Sequence, residues 1–419
     1  VIISDLHLND GTTGKTVAAD AFVRFRGRLE DLAYFASYRN GRPGSYQLVR
    51  RIDLVMLGDV LDVIRSTQWS AESQADPGYA RPWFDLQDND QRARLAQKVN
   101  TITGDIITHN RGALEQLQDL GGARPLTLPP ATADGRPATG VERQPVETRI
   151  HYLAGNHDWF WVIDSPEFEA IRRKITAALG LANPAGPYPH DPAESDLLAA
   201  AMADHSVFAR QGDIYDAFNY DQEQGRAAAS LGDAIVIDLM NQFPHEVRAQ
   251  LEGDVAQTPG LAGFLNGMDQ LVNVRPLLMA PAWIQGLLRR HEIPKATADK
   301  VKEIWNHVAD KALAEPYVQE QDSWSPFDTV DLLETTLRFT KLLSFHSLSE
   351  LLSWIQNKIW GGDASFAKFA QKEDAFLAQQ ARFFIYGHTH HYETVPLYTA
   401  IKNGRPFDQI YFNSCLLYT

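Results

Sequence analysis

The chain has 419 residues, of which 44% are hydrophobic, and this is enough for a large globular core. Its formal net charge of −14 opposes nonspecific binding to nucleic acid or to an anionic membrane surface. A single cysteine, Cys415, excludes an intrachain disulfide and a thiolate cluster, so a metal would need His, Asp, Asn or similar ligands.

Short apolar runs alternate with helical patterns along the first half of the chain. The runs predict strands over 1–5, 52–57, 149–154, 206–209, 383–386, 393–397 and 409–413. Apolar residues at helical spacing predict helices over 17–38, 88–120 and 166–179. The proline-rich segment 123–146 is predicted to be an exposed loop. This alternation indicates an α/β layered core with its chemistry at the strand ends.

The stretch 226–379 is almost wholly helical in pattern and is too long for a loop. It predicts a helical insertion that lies as a cap over the strand ends. The expected organisation is a core in two parts, 1–225 and 381–419, with the insertion over 226–380. The longest apolar stretch, 276–288, is too short to cross a bilayer. Because Val1 lies inside a predicted strand, the N-terminus is expected to be trimmed, and a cytoplasmic location is expected.

Polar residues that could hold a metal directly follow several of the predicted strands. Because side chains in extended backbone repeat with period two, His388 and His390 leave the chain on the same side and could bind neighbouring metals. This pair alone is weak evidence, but four such stretches in one chain need a common explanation. The four stretches are Asp5-Leu6-His7, Gly58-Asp59-Val60-Leu61-Asp62, Gly155-Asn156-His157-Asp158 and Gly387-His388-Thr389-His390.

This ordered set of motifs resembles that of the calcineurin-like metallophosphoesterase superfamily. The resemblance covers both ends of the chain, about half of its length, and leaves the helical insertion outside. It implies an α/β fold of a particular kind, a four-layer αββα metallophosphoesterase sandwich with a large helical insertion as its cap. It also implies a phosphoric ester hydrolase acting on a phosphomonoester, a phosphodiester or a pyrophosphate.

The resemblance further implies the ligands of two divalent metal ions. One metal would be held by Asp5, His7, Asp59 and His390. The other would be held by Asp59, Asn156, His388 and one further residue, so that Asp59 would bridge the two. Manganese is the expected metal, with iron, zinc and magnesium as alternatives.

The chemistry of phosphoester hydrolysis explains these residue types. A phosphate ester is anionic and repels hydroxide, whereas two cations about 3.5–4 Å apart polarise the phosphoryl group and lower the pKa of a bridging water. The expected mechanism is attack by the hydroxide that bridges the metals. His157 is expected to protonate the leaving alkoxide as general acid, a contribution of about 10²–10⁴-fold. Asp62 and Asp158 are expected to orient the histidines or the bridging carboxylate.

The chain departs from the superfamily pattern at one strand end. The superfamily usually has a metal-binding histidine followed by glycine there, whereas this chain has Gln211-Gly212-Asp213. The amide oxygen of Gln211 could bind the second metal and would shift the preference from zinc toward manganese or magnesium. His205 is the other candidate, but it lies six residues earlier, about 20 Å along an extended strand, and is expected at the wrong end.

The sequence restricts the substrate only to a class. The acidic charge and the helical cap favour a small-molecule or lipid-like phosphoester over nucleic acid, and the oligomeric state stays open. The apolar stretch 277–288, followed by Arg289, Arg290 and His291, has two interpretations. It is either a buried core helix or an apolar groove with a basic rim, which would resemble the cap of UDP-diacylglucosamine hydrolase, a lipid pyrophosphatase of this superfamily.

A second hypothesis comes from a different functional class. In it, Gln211 weakens the second metal site, and the chain is a scaffold with a metallophosphoesterase fold whose insertion binds a partner protein. His157 argues against this hypothesis, since a scaffold needs no proton donor beside the metal ligands.

Overall fold

The structure, a computed structural model, describes residues 1–39, 42, 44–70, 76, 78–274, 279–321, 365–402 and 404–414. The described chain has a mixed α/β fold with two four-stranded mixed sheets. The strands are β1 (Ile2–Ile3), β2 (Arg51–Leu57), β3 (Leu126–Leu128), β4 (Gln144–Leu153), β5 (Val207–Arg210), β6 (Phe383–Tyr386), β7 (Glu393–Lys402) and β8 (Arg405–Asn413).

The first sheet has the strand order β1-β2-β4-β3, in which β1, β2 and β4 are parallel. Strand β3 and the first three residues of β4, 144–146, lie inside the segment 123–146, so the prediction that this whole segment is a loop was wrong. Leu126 and Leu128 alternate with Thr127, and both leucines are buried while β3 pairs antiparallel with β4. The prolines of the segment argue against a strand, and the period-two pattern of three residues was too short to outweigh them.

The second sheet has the order β5-β6-β8-β7. Strands β5, β6 and β8 are parallel, and β7 forms an antiparallel pair with β8. In each sheet the parallel strands therefore present their carboxyl ends at one edge, where the predicted metal-binding motifs begin.

The helices lie between the strands, mostly in two blocks. The first block comprises α1 (Ala19–Ala36), α2 (Asn89–His109), α3 (Arg111–Gly121), α4 (Pro166–Leu179) and α5 (Asp196–Asp204). The second block comprises α6 (Leu231–Ile235), α7 (Gln242–Leu251), α8 (Leu261–Gly267), α9 (Ala280–Arg290), α10 (Lys295–Leu313) and α11 (Pro316–Glu320). Two further short helices, Ala367–Ala370 and Asp374–Leu377, precede β6.

The helix predicted over 88–120 is two helices with a break at Asn110. The Asn110 side chain donates to the carbonyls of Asn9 and Ile106, each at 2.8 Å. Its bond to Asn9 ties the break to the loop that follows β1. Asparagine readily forms such local bonds to the backbone, and they compete with continuation of a helix.

Side-chain alternation along β2 divides the core between the two faces of the first sheet. Leu54 and Met56 face the largest hydrophobic cluster, which contains buried residues of α1 to α4. Val55 and Leu57 face the opposite side and pack in a cluster with Ala209 of β5. This second cluster joins the two sheets, and each valine or leucine buried in it stabilises the fold by about 1.5–3 kcal/mol.

The outer face of the second sheet is covered by the short helices before β6. Phe384, Tyr386 and Tyr411 form a hydrophobic cluster with Ala367 and Ala370 of the first of these helices. The largest cluster therefore lies between the helices and the first sheet, and the second cluster lies between the two sheets. The third lies between the second sheet and the short helices.

The second block of helices shares its core with the first. Buried residues over 229–318 belong to the same large cluster as those of α1 to α4. Residues 275–278 and 322–364 of the predicted insertion lie outside the described residues. Among the helices described, none has the length and apolar character needed to cross a membrane.

Candidate metal centre

The two sheets bring their strand-end motifs together at one place. Asp5, His7, Asp59, Asn156 and Gln211 are all at most 5% exposed. The side chains of His388 and His390, which follow β6, are 8% and 11% exposed. The backbone N–H of His388 donates to both carboxylate oxygens of Asp5 at 3.1 Å, which links the two sheets directly.

The backbone at these motifs adopts an uncommon conformation. Five predicted ligands have φ between 45° and 68°, in the left-handed region that L-residues rarely occupy. They are Asp5, His7, Asp59, His388 and His390. Among the described residues, only three other non-glycine residues share this conformation. Such strained conformations cluster at functional sites, where the surrounding structure imposes them.

Glycines in the motifs allow the loops to approach one another closely. A Cβ atom on Gly387 would lie 2.6 Å from Asp5 Oδ2, and one on Gly155 would collide with the Asp59 carboxylate. Real Cβ atoms essentially never come this close to a neighbour. Gly387 and Gly155 are therefore needed because the carboxylate of another motif fills the space that a side chain would occupy.

We define the first position of the centre by Asp5, His7 and His390. Ligand atoms of these three residues lie within 4.8 Å of one another, and the group could hold a metal ion. The Nε2 atoms of His7 and His390 are 3.0 Å apart. Asp59 Oδ2 lies 3.9 Å from His7 Nε2, so the predicted bridging carboxylate borders this position. Carboxylate and imidazole groups suit manganese, iron and zinc.

Asp62 fixes the orientation of two histidines. Its Oδ2 accepts from His7 Nδ1 and its Oδ1 accepts from His157 Nδ1, both at 2.7 Å. With Nδ1 bound to the carboxylate, His7 directs Nε2 at the first position, as a metal-binding imidazole requires. His7, Asp62 and His157 also form a group that could hold a metal ion. In that group Asp62 already accepts from the Nδ1 atoms of both histidines, whereas His7 Nε2 lies beside His390 at the first position.

The protonation states agree with this arrangement. Burial lowers the pKa of His7 well below its usual range, which favours the neutral, metal-binding form. Burial would raise the pKa of Asp62, but the charges of His157 and Arg65 and the two histidine hydrogen bonds lower it well below its usual range. An ionised Asp62 can accept from both rings at once.

Asp158 stabilises the loops that carry the ligands. It is fully buried and accepts hydrogen bonds from Gly155 N at 2.6 Å, Val60 N at 2.8 Å and the Tyr152 hydroxyl at 2.5 Å. These bonds join the loop after β2 to the loop after β4. Asp158 thus acts on the backbone beside Asp59, and its two oxygens are used by these donors.

We define the second position by Asp59, Asn156, Gln211 and His388. Gln211 Nε2 donates to Asp59 Oδ2 at 3.1 Å and to Asn156 Oδ1 at 3.2 Å, and it lies 3.1 Å from His388 Nδ1. Burial, followed by the charges of Asp158 and Asp5, raises the pKa of Asp59 well above its usual range. Such a crowd of buried carboxylates favours a bound cation.

The orientation of Gln211 differs from the sequence prediction. The amide oxygen, expected to face the metal, accepts a hydrogen bond from the backbone N–H of Asp213 at 2.8 Å. The amide nitrogen faces the second position instead. His205, the alternative candidate, lies at the end of α5 before β5 begins, at the opposite end of that strand from Gln211.

Two residues that the sequence interpretation missed complete the second position. Asp216 Oδ2 accepts from His388 Nε2 at 3.0 Å, which directs His388 Nδ1 inward. Asn219 Oδ1 accepts from Asn156 Nδ2 at 3.3 Å, which directs the Asn156 oxygen inward. Asn219 Nδ2 also donates to Asp216 at 2.8 Å. Both residues follow Gln211 within eight positions, and this proximity was the available signal.

Comparisons with known proteins add no assignment to this geometry. No protein-family model, no curated protein and no solved structure matches the chain significantly.

Proposed function

We propose that this chain is a metal-dependent phosphoesterase of the calcineurin-like superfamily, built on the four-layer αββα sandwich. The observation that carries the proposal is the convergence of four strand-end motifs on one buried cluster of carboxylate, imidazole and amide groups. The two mixed sheets and their hydrophobic clusters support the same layered fold.

The residues present fit a divalent metal best at the first position. Asp5, His7 and His390 would hold it, with Asp59 at its border, and manganese suits this mixed set of oxygen and nitrogen ligands. A bound metal supplies positive charge for the phosphoryl oxygens and lowers the pKa of water that would attack phosphorus. The second of the two predicted metals would be held beside Asp59, Asn156 and His388.

His157 is proposed as the proton donor to the leaving group. Its ring centroid is 4.6 Å from that of His7, and the two rings share Asp62. Because Nδ1 donates to Asp62, the proton delivered to the leaving oxygen would be held on Nε2. The Asp62 carboxylate stabilises the positive charge of the ring before transfer, as expected for a general acid near neutral pH.

The proposed substrate is a small phosphoester. The lipid groove considered for 277–288 lacks support from the described part of that stretch, because Ile284, Leu287 and Leu288 are buried in the main core. Residues 277 and 278 lie outside the described residues. The net charge of −14 continues to oppose a long nucleic acid as substrate.

The scaffold hypothesis remains a second candidate, favoured by a single observation. The Gln211 nitrogen, which is not a metal ligand, faces the second position. A scaffold of this kind would bind one metal at most and would hydrolyse no phosphoester.

Hydrolysis of bis-p-nitrophenyl phosphate and p-nitrophenyl phosphate tests the proposal. Metal-stripped protein would be resupplied with manganese, zinc, iron or magnesium, and bound metal would be counted in parallel. The adjacent residues His390 and His391 offer a matched control, because His390 lies in the first position whereas His391 is exposed beside the motif. We expect His390→Ala to abolish metal-dependent turnover and His391→Ala to preserve it. Equal turnover in the two variants would contradict the proposed centre.

A further inference from the structure

We infer that the amide nitrogen of Gln211 takes the place of a cation at the second position, so that the chain binds one metal tightly and a second far more weakly. This inference rests on the proposed function, since it concerns the same centre. It concerns the residue at which this chain departs from its superfamily.

The contacts of the Gln211 nitrogen are those of a small cation. Three groups with electron pairs surround it at 3.1–3.2 Å: Asp59 Oδ2, Asn156 Oδ1 and His388 Nδ1. These atoms come from both sheets and are the predicted ligands of the second metal. An N–H donor satisfies them in part, because it offers positive partial charge to a carboxylate, an amide oxygen and an imidazole nitrogen.

The backbone sets which end of the Gln211 amide faces the centre. The N–H of Asp213 donates to Gln211 Oε1 at 2.8 Å. Rotation of the amide by 180° would place its NH₂ group against this N–H, so that two donors would face each other, and would bring its oxygen to the Asp59 carboxylate. Both contacts are unfavourable, and a buried donor without an acceptor destabilises the protein.

Packing prevents the Gln211 side chain from turning aside. Gln211 is fully buried. A Cβ atom on Gly58 would lie 2.6 Å from Gln211 Cγ, so the stem of the side chain fills the space above that glycine. A second metal must therefore displace a confined group and break its hydrogen bonds with Asp59 and Asn156.

Asn156 provides an internal contrast with the same chemical group. Its NH₂ group donates to Asn219 Oδ1, and its oxygen faces the second position. The protein thus directs one buried amide with its oxygen toward the position and the other with its nitrogen. The second position consequently offers three ligands and one competitor for the place of the metal.

Metal stoichiometry tests the inference without reliance on turnover. Metal-stripped wild-type protein and Gln211→His would be titrated with Mn²⁺ by calorimetry, and bound manganese would be counted after gel filtration. Electron paramagnetic resonance would distinguish an isolated Mn²⁺ ion from a coupled pair. Gln68→His serves as control, because it places the same imidazole at a half-buried position outside the centre, where Gln68 donates to Asp105.

We expect the wild-type chain to bind one Mn²⁺ ion tightly and to give the resonance spectrum of an isolated ion. A second Mn²⁺ ion should bind at least about tenfold more weakly, since it must break the buried hydrogen bonds of Gln211. Gln211→His should bind two tight ions with a coupled spectrum, and Gln68→His should behave as the wild type. Two equally tight, coupled ions in the wild-type chain would overturn the inference, whether or not the variant folds, and leave the proposed function intact. No tight ion in the wild-type chain would overturn both. A single tight ion without phosphoester hydrolysis would uphold the inference and refute the proposed function.

Discussion

The first and second positions of the centre are built from similar strand-end loops, yet they differ in how their side chains are oriented. At the first position, Asp62 accepts from His7 Nδ1, and His7 Nε2 faces the position. At the second position, Asp216 accepts from His388 Nε2, and His388 Nδ1 faces the position. The backbone N–H of Asp213, however, binds the Gln211 oxygen and turns it away from the position.

This difference shows that the group behind a ligand decides what the ligand presents to a metal. Asn156 and Gln211 carry the same amide group and present opposite ends of it. Residue type restricts the candidates, whereas the neighbouring hydrogen-bond partners fix the donor atom.

Loss of an imidazole from either position should have the largest effect on metal binding and activity. The two losses should also distinguish the positions most clearly. We expect His7→Ala to remove the tight metal and to lower kcat/KM by about 10³-fold or more, because metal-derived stabilisation amounts to several kcal/mol. His388→Ala should retain one tight metal. Metal counting and kinetics on both variants check this, and equal metal loss in both would remove the distinction between the positions.

Substitution of the proposed proton donor should have the next largest effect on activity. It should leave the metal content of both positions as in the wild type. His157→Ala is expected to lower kcat by about 10²-fold or more for esters with poor leaving groups, which need a proton. Esters of p-nitrophenol should be affected less. A rate loss independent of the leaving-group pKa would contradict the assignment of His157.

Removal of the carboxylates that orient the histidines should have a smaller effect, confined to the affinity of one position in each case. Asp62→Asn is expected to weaken the tight metal by about 10–100-fold, and Asp216→Asn to weaken the second by a similar factor. Calorimetric titration with Mn²⁺ measures both constants. If Asp216→Asn weakened the tight site instead, His388 would belong to the first position.

The smallest expected effect concerns Asn219. Asn219→Ala removes the acceptor that orients Asn156, so the Asn156 amide can rotate and present its nitrogen. We expect second binding to weaken by about tenfold or less, in line with the loss of one hydrogen bond, while the tight metal is retained. Loss of the tight metal in this variant would show that Asn219 supports the whole fold of the centre.

The sequence predicted each strand that carries the centre, although β4 begins at Gln144, five residues before its predicted start. Helix α4 begins and ends as predicted, and β2 and β6 lie within one residue of their predicted bounds. These elements have strong apolar periodicity, which local sequence displays directly. The seven predicted ligands lie together because each follows a parallel strand, and parallel strands end at a common edge.

Features that depend on contacts distant in sequence were not predictable. Strand β3 is held by β4, and the break at Asn110 is held by Asn9, so neither has a strong local signal. The role of Asp216 depends on a ring 172 residues away. The orientation of Gln211 is set locally, by the backbone N–H of Asp213, but residue type does not show which end of an amide accepts such a bond. Sequence patterns thus identify candidate side chains but not which of their atoms face a metal.

The left-handed backbone of the five ligand residues has a thermodynamic consequence. Each such conformation costs about 1 kcal/mol or more in a non-glycine residue, and the cost is borne by the rest of the fold. A metal that binds only the native arrangement would offset part of this cost by mass action. Chelation should therefore lower Tm, whereas a glycine in place of His390 should raise the Tm of the metal-stripped protein. The stability of the metal-free fold and the capacity to bind metal are thus expected to oppose each other at the same five residues.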